Sequence, residues 1–486
     1  MSAATFALAD LRLLLSRTRW PVPGIRWWAI QELAMLLSRP EYSTRVEEAL
    51  LHDLDGRRLE SEAVELLFVF WIASQNGYKP NSLILQHLRA PSPLSDLLLR
   101  EFGLAASVQS VPTLPTLEAA PGFRSSAEFD AVQGRMVPKI FWSLLDNLEN
   151  EVGLPFCAQY AFEWERTGSV YPKPIHSDIG YFYGRPVEGM RGQFVTRDSD
   201  RGRSAYLRTI AVAESIWRAP PHIVEEHGIF ALPLDPTLVF LRSQRPVGLP
   251  TLGNVQAING DSLDAHVRTV VAYFEENYVD SVPLTFSAPL RVTTNEVIDM
   301  EIFRWAQWEH RSVDAKTLLE RRNSEHGENN SEWCSSHRLN KEMSIPPQKL
   351  DQLRDKETDS VPTAGIVSMW RRGYLHADLY ARGITLPFST VEGRSVSARP
   401  DAAELLLEIG DEQFGHWGYW NENWTTGHPK QVPAHVGARL IANRSMVQRL
   451  WAKPPTRYFY LWRCIRLTRK EVYQEFSVEE FSGAVL

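Results

Sequence analysis

The stretch RYFYLWRCIRLTRK, residues 457–470, decides how the rest of the chain is read. It is rich in aromatic and β-branched residues and no turn residue interrupts it, so it predicts one long strand. Side chains alternate along a strand. Arg457, Arg463 and Arg469 then share one face with Phe459, Leu461, Ile465 and Leu467, while Tyr458, Tyr460 and Trp462 share the other with Arg466 and Lys470. Neither face is purely polar. One of them must meet a core, so some of the arginines must be paired or lie at an edge.

The strand ends a longer basic run. Between Glu422 and Glu471 there is no acidic residue. The run holds Lys430, Arg439, Arg444, Arg449, Lys453, Arg457, Arg463, Arg466, Arg469 and Lys470, interleaved with Trp424, Trp451, Tyr458, Phe459, Tyr460 and Trp462. Basic groups bind phosphates by counterion release, and aromatic rings stack on exposed bases. The ten basic residues with Trp424 and Trp462 are therefore the candidate set for an anionic ligand such as nucleic acid. The net charge is −7 and unevenly spread: 106–362 is acidic and 363–486 is basic. The same arginines thus have a second reading, as partners of the chain's own acidic middle.

Just upstream, GHWGYWNENW (415–424) concentrates aromatics around two glycines. It has a counterpart. LPF (154–156), IGYFYG (179–184) and WRAPP (217–221) recur in order as LPF (386–388), FGHWGY (414–419) and WAKPP (451–455). This points to a diverged internal duplication of two mixed modules, with Trp417 and Tyr419 in a shared core. Within these modules PKIFWSLLDNLENE, AYLRTIAVAESIW, RPDAAELLLEIG and GARLIANRSMVQRLW predict helices. GIFALPLDPTLVFLRS and DSVPLTFSAPLRVTT predict strands.

Residues 5–103 predict helices throughout. Pro23 suits a first helical turn, Pro40 a stop, and Ser43 or Thr44 a cap, with Glu47 completing a capping box from Thr44. Ala29, Ile30, Leu33, Leu37, Leu50, Leu51 and Leu54 recur at a 34-residue offset as Ala63, Val64, Leu67, Trp71, Ile84, Leu85 and Leu88. A helix pair cannot bury its apolar face alone, so neighbours stack. This pattern resembles HEAT-like helical repeats, with a plain helical bundle as the alternative. The resemblance implies a curved scaffold for protein contacts. HEAT-like modules fused to other domains look like components of bacterial multi-protein systems, phage defence among them.

The resulting expectation is a multi-domain α+β chain: a HEAT-like helical domain (1–105), a linker (106–135), a first α+β module (136–320), a flexible polar linker (321–362) and a second α+β module with a basic tail (363–486). Three scattered cysteines, Cys157, Cys334 and Cys464, give no disulfide framework and fit a reducing compartment. The longest apolar run, AVELLFVFWIA (63–73), is too short to cross a membrane and the N-terminus reads as a helix rather than a leader. A cytoplasmic protein without membrane partners is expected.

Phosphate-loop, dinucleotide-binding, serine-hydrolase and zinc-protease signatures are absent from the sequence. His176 and Asp178, with His222 or His227, have the residue types of an iron-binding facial triad. His326, Cys334 and His337 offer three zinc-type ligands where a structural site needs four. Asp299 with Asp314 and Lys316 has the residue types of a nuclease centre, but Lys316 stands at a charged helix start. The expected function is accordingly a non-catalytic interaction or sensor protein without a cofactor, contacting other proteins through its helical domain and an anionic partner through 424–470. The alternative is an enzyme, metal-dependent oxygenase or nuclease-like, with its site near His176 and Asp178 or near His416, Asn421 and His428.

Overall fold

A computed structural model describes residues 8–19, 23–104, 114–132, 139–170, 197–234, 236, 239, 245–252, 258–309, 313–325, 343–345, 360–367, 384–387, 396–401, 404–421, 436–451, 454–471 and 474–486. The chain divides into two compact units, Met1–Asp235 with Arg371–His376, and Pro236–Trp370 with Ala377–Leu486. The first is helical and the second is built on a large antiparallel sheet, so the chain is mixed α+β.

The first unit runs α1 (Leu8–Arg17), α2 (Pro23–Leu37), α3 (Pro40–Asp55), α4 (Glu60–Gln75), α5 (Ile84–His87), α6 (Pro93–Glu101), α7 (Ala127–Val132), α8 (Lys139–Val152), α9 (Phe156–Val170), α10 (Arg197–Ser215) and α11 (Pro221–Gly228). Pro23, Pro40, Pro93 and Pro221 each open a helix, where a missing N–H costs nothing. Pro40 was expected to stop α2. It does so by starting α3, which places Ser43 and Thr44 inside that helix rather than at its cap. Ser92 and Ser95 form a reciprocal cap at α6 instead.

Helix α4 is buried on every side from Glu60 to Ala73. That accounts for its long apolar run, since a helix apolar all round belongs inside a core. The side chains of the 34-residue pattern are buried in both sets except Leu85, which is half-buried. The second set ends on the single turn of α5, where the first has the sixteen residues of α3.

Charge penetrates this unit. Arg26 of α2 pairs with Glu65 of α4, both almost wholly buried. Arg208 of α10 pairs with Glu60 and lies 3.8 Å from Glu163 of α9, which also takes Arg166 at 2.7 Å. Between these pairs the Ser204 hydroxyl accepts from the Ser61 amide at 3.1 Å. Arg201 lies 3.7 Å over the ring of Trp164 and donates to its carbonyl. Burial pushes the carboxyl groups of Glu60 and Glu163 above the usual range, and the arginines oppose that shift.

The second unit runs α12 (Gly260–Asn277), β1 (Ser281–Val292), β2 (Glu296–Gln307), α13 (Ala315–Glu325), β3 (Met343–Ile345), β4 (Ser360–Pro362), β5 (Ala364–Val367), β6 (Ile384–Pro387), β7 (Val396–Asp401), β8 (Glu404–Ile409), β9 (Glu412–Asn421), β10 (Val436–Asn443), α14 (Arg444–Arg449), β11 (Arg457–Thr468) and β12 (Ser477–Val485). The sheet order is β12-β11-β2-β1-β10-β9-β8-β7-β3, with β4 beside the end of β2, and β5 and β6 pair separately. Among the described residues all pairings are antiparallel.

The predicted strand 457–470 is β11, and it lies against β2 in unbroken register from Arg457–Gln307 to Thr468–Glu296. Helix α12 covers one face, burying Leu263, Val267, Val270 and Phe274 against Phe286, Met300, Ile302, Tyr460 and Trp462. Helix α13 covers part of the other, with Leu319 against Phe303, Trp305, Phe459 and Leu461. Two tryptophans face glycines across the strands: Trp420 opposite Gly437, and Trp462 opposite Gly483. A Cβ on either glycine would collide with the indole that lies over it. The absent side chain is what lets each ring lie flat toward α12. Strand β1 is central yet contains Pro283 and Pro289, and its pairing with β10 and with β2 shifts register at each proline in turn. A proline cannot donate to a ladder, so bulges are where a central strand tolerates it.

Several expectations need correction. RPDAAELLLEIG forms parts of β7 and β8, not a helix, and the first half of GARLIANRSMVQRLW is β10. Leu405, Leu406 and Leu407 are all buried, as is β10 from Val436 to Ala442. A strand covered on both faces loses its alternation and mimics a helical pattern. The described part of GIFALPLDPTLVFLRS forms a 3-10 turn at Ile229–Ala231 rather than a strand. DSVPLTFSAPLRVTT does form β1.

The division between the units falls within 136–320. Helices α8 to α11 of that stretch belong to the first unit, whereas β1 and β2 pair with β10 and β11 of 363–486. The landmarks of the expected duplication lie on unlike elements where they are described: Phe156 opens α9, while Leu386 and Pro387 end β6. IGYFYG (179–184) lies outside the described residues.

Candidate anion-binding interface

The basic run is built around β11, and its alternation is as the sequence reads. Tyr460 and Trp462 turn to α12, where the Trp462 indole N–H donates to Asp264 at 2.6 Å. Phe459 and Leu461 turn to α13. Both faces are therefore core at this end of the strand, and each arginine has a specific neighbour.

Arg463 donates to Glu301 on β2 at 2.7 and 3.0 Å. Arg466 bridges Glu296 at 2.8 Å and Glu479 at 3.1 Å. Arg469 donates to the Thr294 carbonyl at 2.8 Å and lies over Phe476. Arg444 pairs with Glu275 at 3.4 Å, and Arg449 with Glu412. Arg439, buried on β10, reaches Glu404 on β8 across Gly418 of β9 and lies 4.9 Å over the ring of Tyr278. A Cβ on Gly418 would crowd both partners at 3.2 Å, so that glycine makes the pair possible. Lys470 is exposed, whereas Trp424, Lys430 and Lys453 lie outside the described residues.

Glu275, Glu296 and Glu301 come from the acidic stretch 106–362, so internal pairing accounts for much of the basic run. Hydrogen bonds from Arg291 and Arg466 hold the Glu296 carboxyl below its usual range, against the upward push of burial. The bond to Glu296 in turn raises Arg466.

Arg457 is placed differently. Its Nε donates to the side-chain oxygen of Gln307 at 2.5 Å, a neutral partner, and its guanidinium lies 5.8 Å over Phe459. It lines a groove of about 610 Å³ with Val313, Lys316, Phe459, Ser482 and Ala484. That size lies within the range of ligand clefts. Lys316 is exposed and only 4.0 Å from Glu320. Asp314, also at the groove, is engaged by its own helix, accepting from the Thr317 hydroxyl at 2.6 Å. Sequence reasoning found Arg457 but placed Lys316 in a nuclease-like set. Their 141-residue separation hides their meeting from any local pattern.

The catalytic candidates are dispersed. His176, Asp178, His326, Cys334, His337 and His428 lie outside the described residues. His227 sits in the last turn of α11, and burial lowers its pKa. His416 lies on β9, 2.7 Å from Gln413 and 4.0 Å from Glu404, and Asn421 ends that strand. Trp417 and Tyr419 are buried and stacked on each other. Asp299 is on β2, and Asp314 and Lys316 are at the start of α13. Among the described residues no group of three His, Cys, Asp or Glu side chains could hold a metal ion, and no helix is long and apolar enough to cross a membrane. No family model and no curated protein matches the chain.

Proposed function

We propose that this chain is a non-catalytic binding protein whose sheet unit takes an anionic partner in the groove beside Arg457 and Lys316. The carrying observation is that Arg457 and Lys316, 141 residues apart in the sequence, stand together on one open groove that Phe459 and Ala484 also line. Two cationic side chains on one groove raise the local concentration of anions there. The helical unit serves protein contacts, as a stack of HEAT-like helix pairs within a bacterial multi-protein system of the phage-defence kind. The buried 34-residue pattern supports that reading. An internal duplication of the mixed regions is part of the same proposal and rests on the recurring sequence landmarks alone.

The test uses the full chain with two probes, polyglutamate and a short single-stranded DNA. Binding is expected at low salt and weakens steeply as salt rises. Arg457→Ala with Lys316→Ala abolishes it, whereas Arg463→Ala with Arg466→Ala leaves it largely intact. Absence of binding to both probes at low salt, or equal binding by the first double variant, overturns the reading.

A further inference from the structure

We infer that a cavity in the helical unit, floored by Glu60 and Arg208, is a binding site for a primary carboxamide, either a free molecule or the end of a partner's glutamine or asparagine side chain. The cavity lies within the helical unit and the groove beside Arg457 within the sheet unit, so the two sites are tested independently.

Helix α4 begins at Glu60, whose carboxylate Oε1 pairs with Nη2 of Arg208 on α10. The two side chains are 4% and 8% exposed. Together with Ser92, Pro115, Leu207 and Ala211 they line a cavity of about 50 Å³. Their pairing leaves one polar atom on each. Glu60 Oε2 and Arg208 Nε are buried and have no hydrogen-bond partner among the described residues. Such atoms are costly to leave alone, so the site calls for a ligand that donates to the first and accepts from the second. The Ser92 hydroxyl accepts from the Ser95 amide at 3.1 Å and has its own proton to give.

Charge requires that ligand to be neutral. Each carboxylate lining the cavity already has its arginine: Glu60 has Arg208, and both oxygens of Glu163 accept from Arg166, at 2.7 and 2.9 Å. An added ion would be buried without a counter-charge. A primary carboxamide is neutral, and its N–H and C=O match Glu60 Oε2 and Arg208 Nε at once. The cavity exceeds the share of one water in the liquid, about 30 Å³, and suits such a head group. Entry is from the side of residues 114–119, a segment without helix or strand, whose Pro115 and Thr116 line the cavity and are exposed. Single side chains hold this strap. Gln159 donates to the Leu117 carbonyl at 2.9 Å and accepts from the Ala119 amide at 2.7 Å, Arg166 donates to the Pro115 carbonyl, and the Trp217 indole donates to Glu118 at 2.6 Å. A strap held by so few bonds lifts without disturbing a helix.

The experiment titrates the full chain, by ligand-detected NMR, with three molecules of one shape: acetamide, acetate and acetamidinium. Acetamide is expected to bind about tenfold or more tightly than either ion, since each ion leaves one cavity atom unmatched and brings a bare charge. Ala211→Phe fills the cavity and abolishes binding. Glu60→Gln turns the acceptor into a donor and leaves the charge of Arg208 unmatched, so acetate overtakes acetamide. A merely structural Glu60 gives no such reversal, and the reversal decides the matter where Ala211→Phe lowers the denaturation midpoint. Free glutamine and a glutamine within a hexapeptide tell the sources apart: the one that gains over acetamide marks a free molecule or a partner's side chain. Equal binding of the three shapes, a cavity that takes up water alone, or a preference for acetamide that Glu60→Gln leaves unchanged overturns the inference. Binding of DNA or polyglutamate at the groove stands or falls separately.

Discussion

In the helical unit Arg26 and Glu65 meet with side chains 3% and 2% exposed, whereas in the sheet unit Arg463 and Glu301 meet with theirs 24% and 26% exposed. Both are arginine–glutamate pairs, and burial makes them different objects. The first is held between packed helices, where water cannot replace a lost partner. The second joins cross-strand neighbours on a half-wet surface, where water can. The same residue types therefore set the integrity of one unit and decorate the surface of the other.

Removing Glu65 should break this contrast most sharply. Glu65→Ala leaves Arg26 buried without its main counter-charge and is expected to cost about 3–5 kcal/mol, read as a lower denaturation midpoint. A loss under about 1 kcal/mol would mean that water reaches the pair. The next largest effect lies in the sheet. Gly437→Ala must displace the Trp420 ring from beneath α12, at about 1–3 kcal/mol and with a shifted tryptophan emission.

The pH response of the two units should differ in sign. Asp96, in the first turn of α6, is pushed up to about 6 by burial, with Glu214 adding to the push. Its contribution to stability is full below the ordinary aspartate value and is lost as pH rises through about 6. Glu296 in the sheet unit is held low, so its contribution is present above the ordinary glutamate value and is lost as pH falls through its depressed one. Stability measured against pH should therefore decline on both sides, by at most about 1.4 kcal/mol per pH unit for each group. Asp96→Asn should flatten the decline between about pH 4 and 6 and leave the acid side unchanged. The smallest effect is expected for Arg463→Ala, about 0–1 kcal/mol and further reduced by salt.

The parts legible in the sequence were those marked by composition or by alternation. Strand β11 was legible from its run of aromatic and β-branched residues, although both its faces are core at Phe459–Trp462, and β1 from the alternation of its apolar residues. Strands β8 and β10 were not, because Leu405 to Leu407 and Val436 to Ala442 are covered on both sides and their periodicity vanishes. The partition into units was hidden for another reason. The β1–β2 hairpin reads as belonging to its sequence neighbours, yet it forms the middle of a sheet completed from the C-terminal quarter. At the candidate interface the charges were visible and their partners were not. Nothing local to Arg463 or Arg466 points to Glu301 or Glu296, and only the register of β11 on β2 joins them.

The prolines at the bulges of β1 bear on how the protein is made. The β1–β2 hairpin leaves the ribosome more than a hundred residues before β10 and β11. At about 5–20 residues per second it waits on the order of ten seconds before β10 can cover the outer edge of β1. An open edge of that length is a template for other nascent chains. Pro283 and Pro289 remove two donors from the waiting hairpin and kink its ladder. Pro283 puts its irregularity on the edge that waits for β10, and Pro289 puts the other inside the hairpin itself.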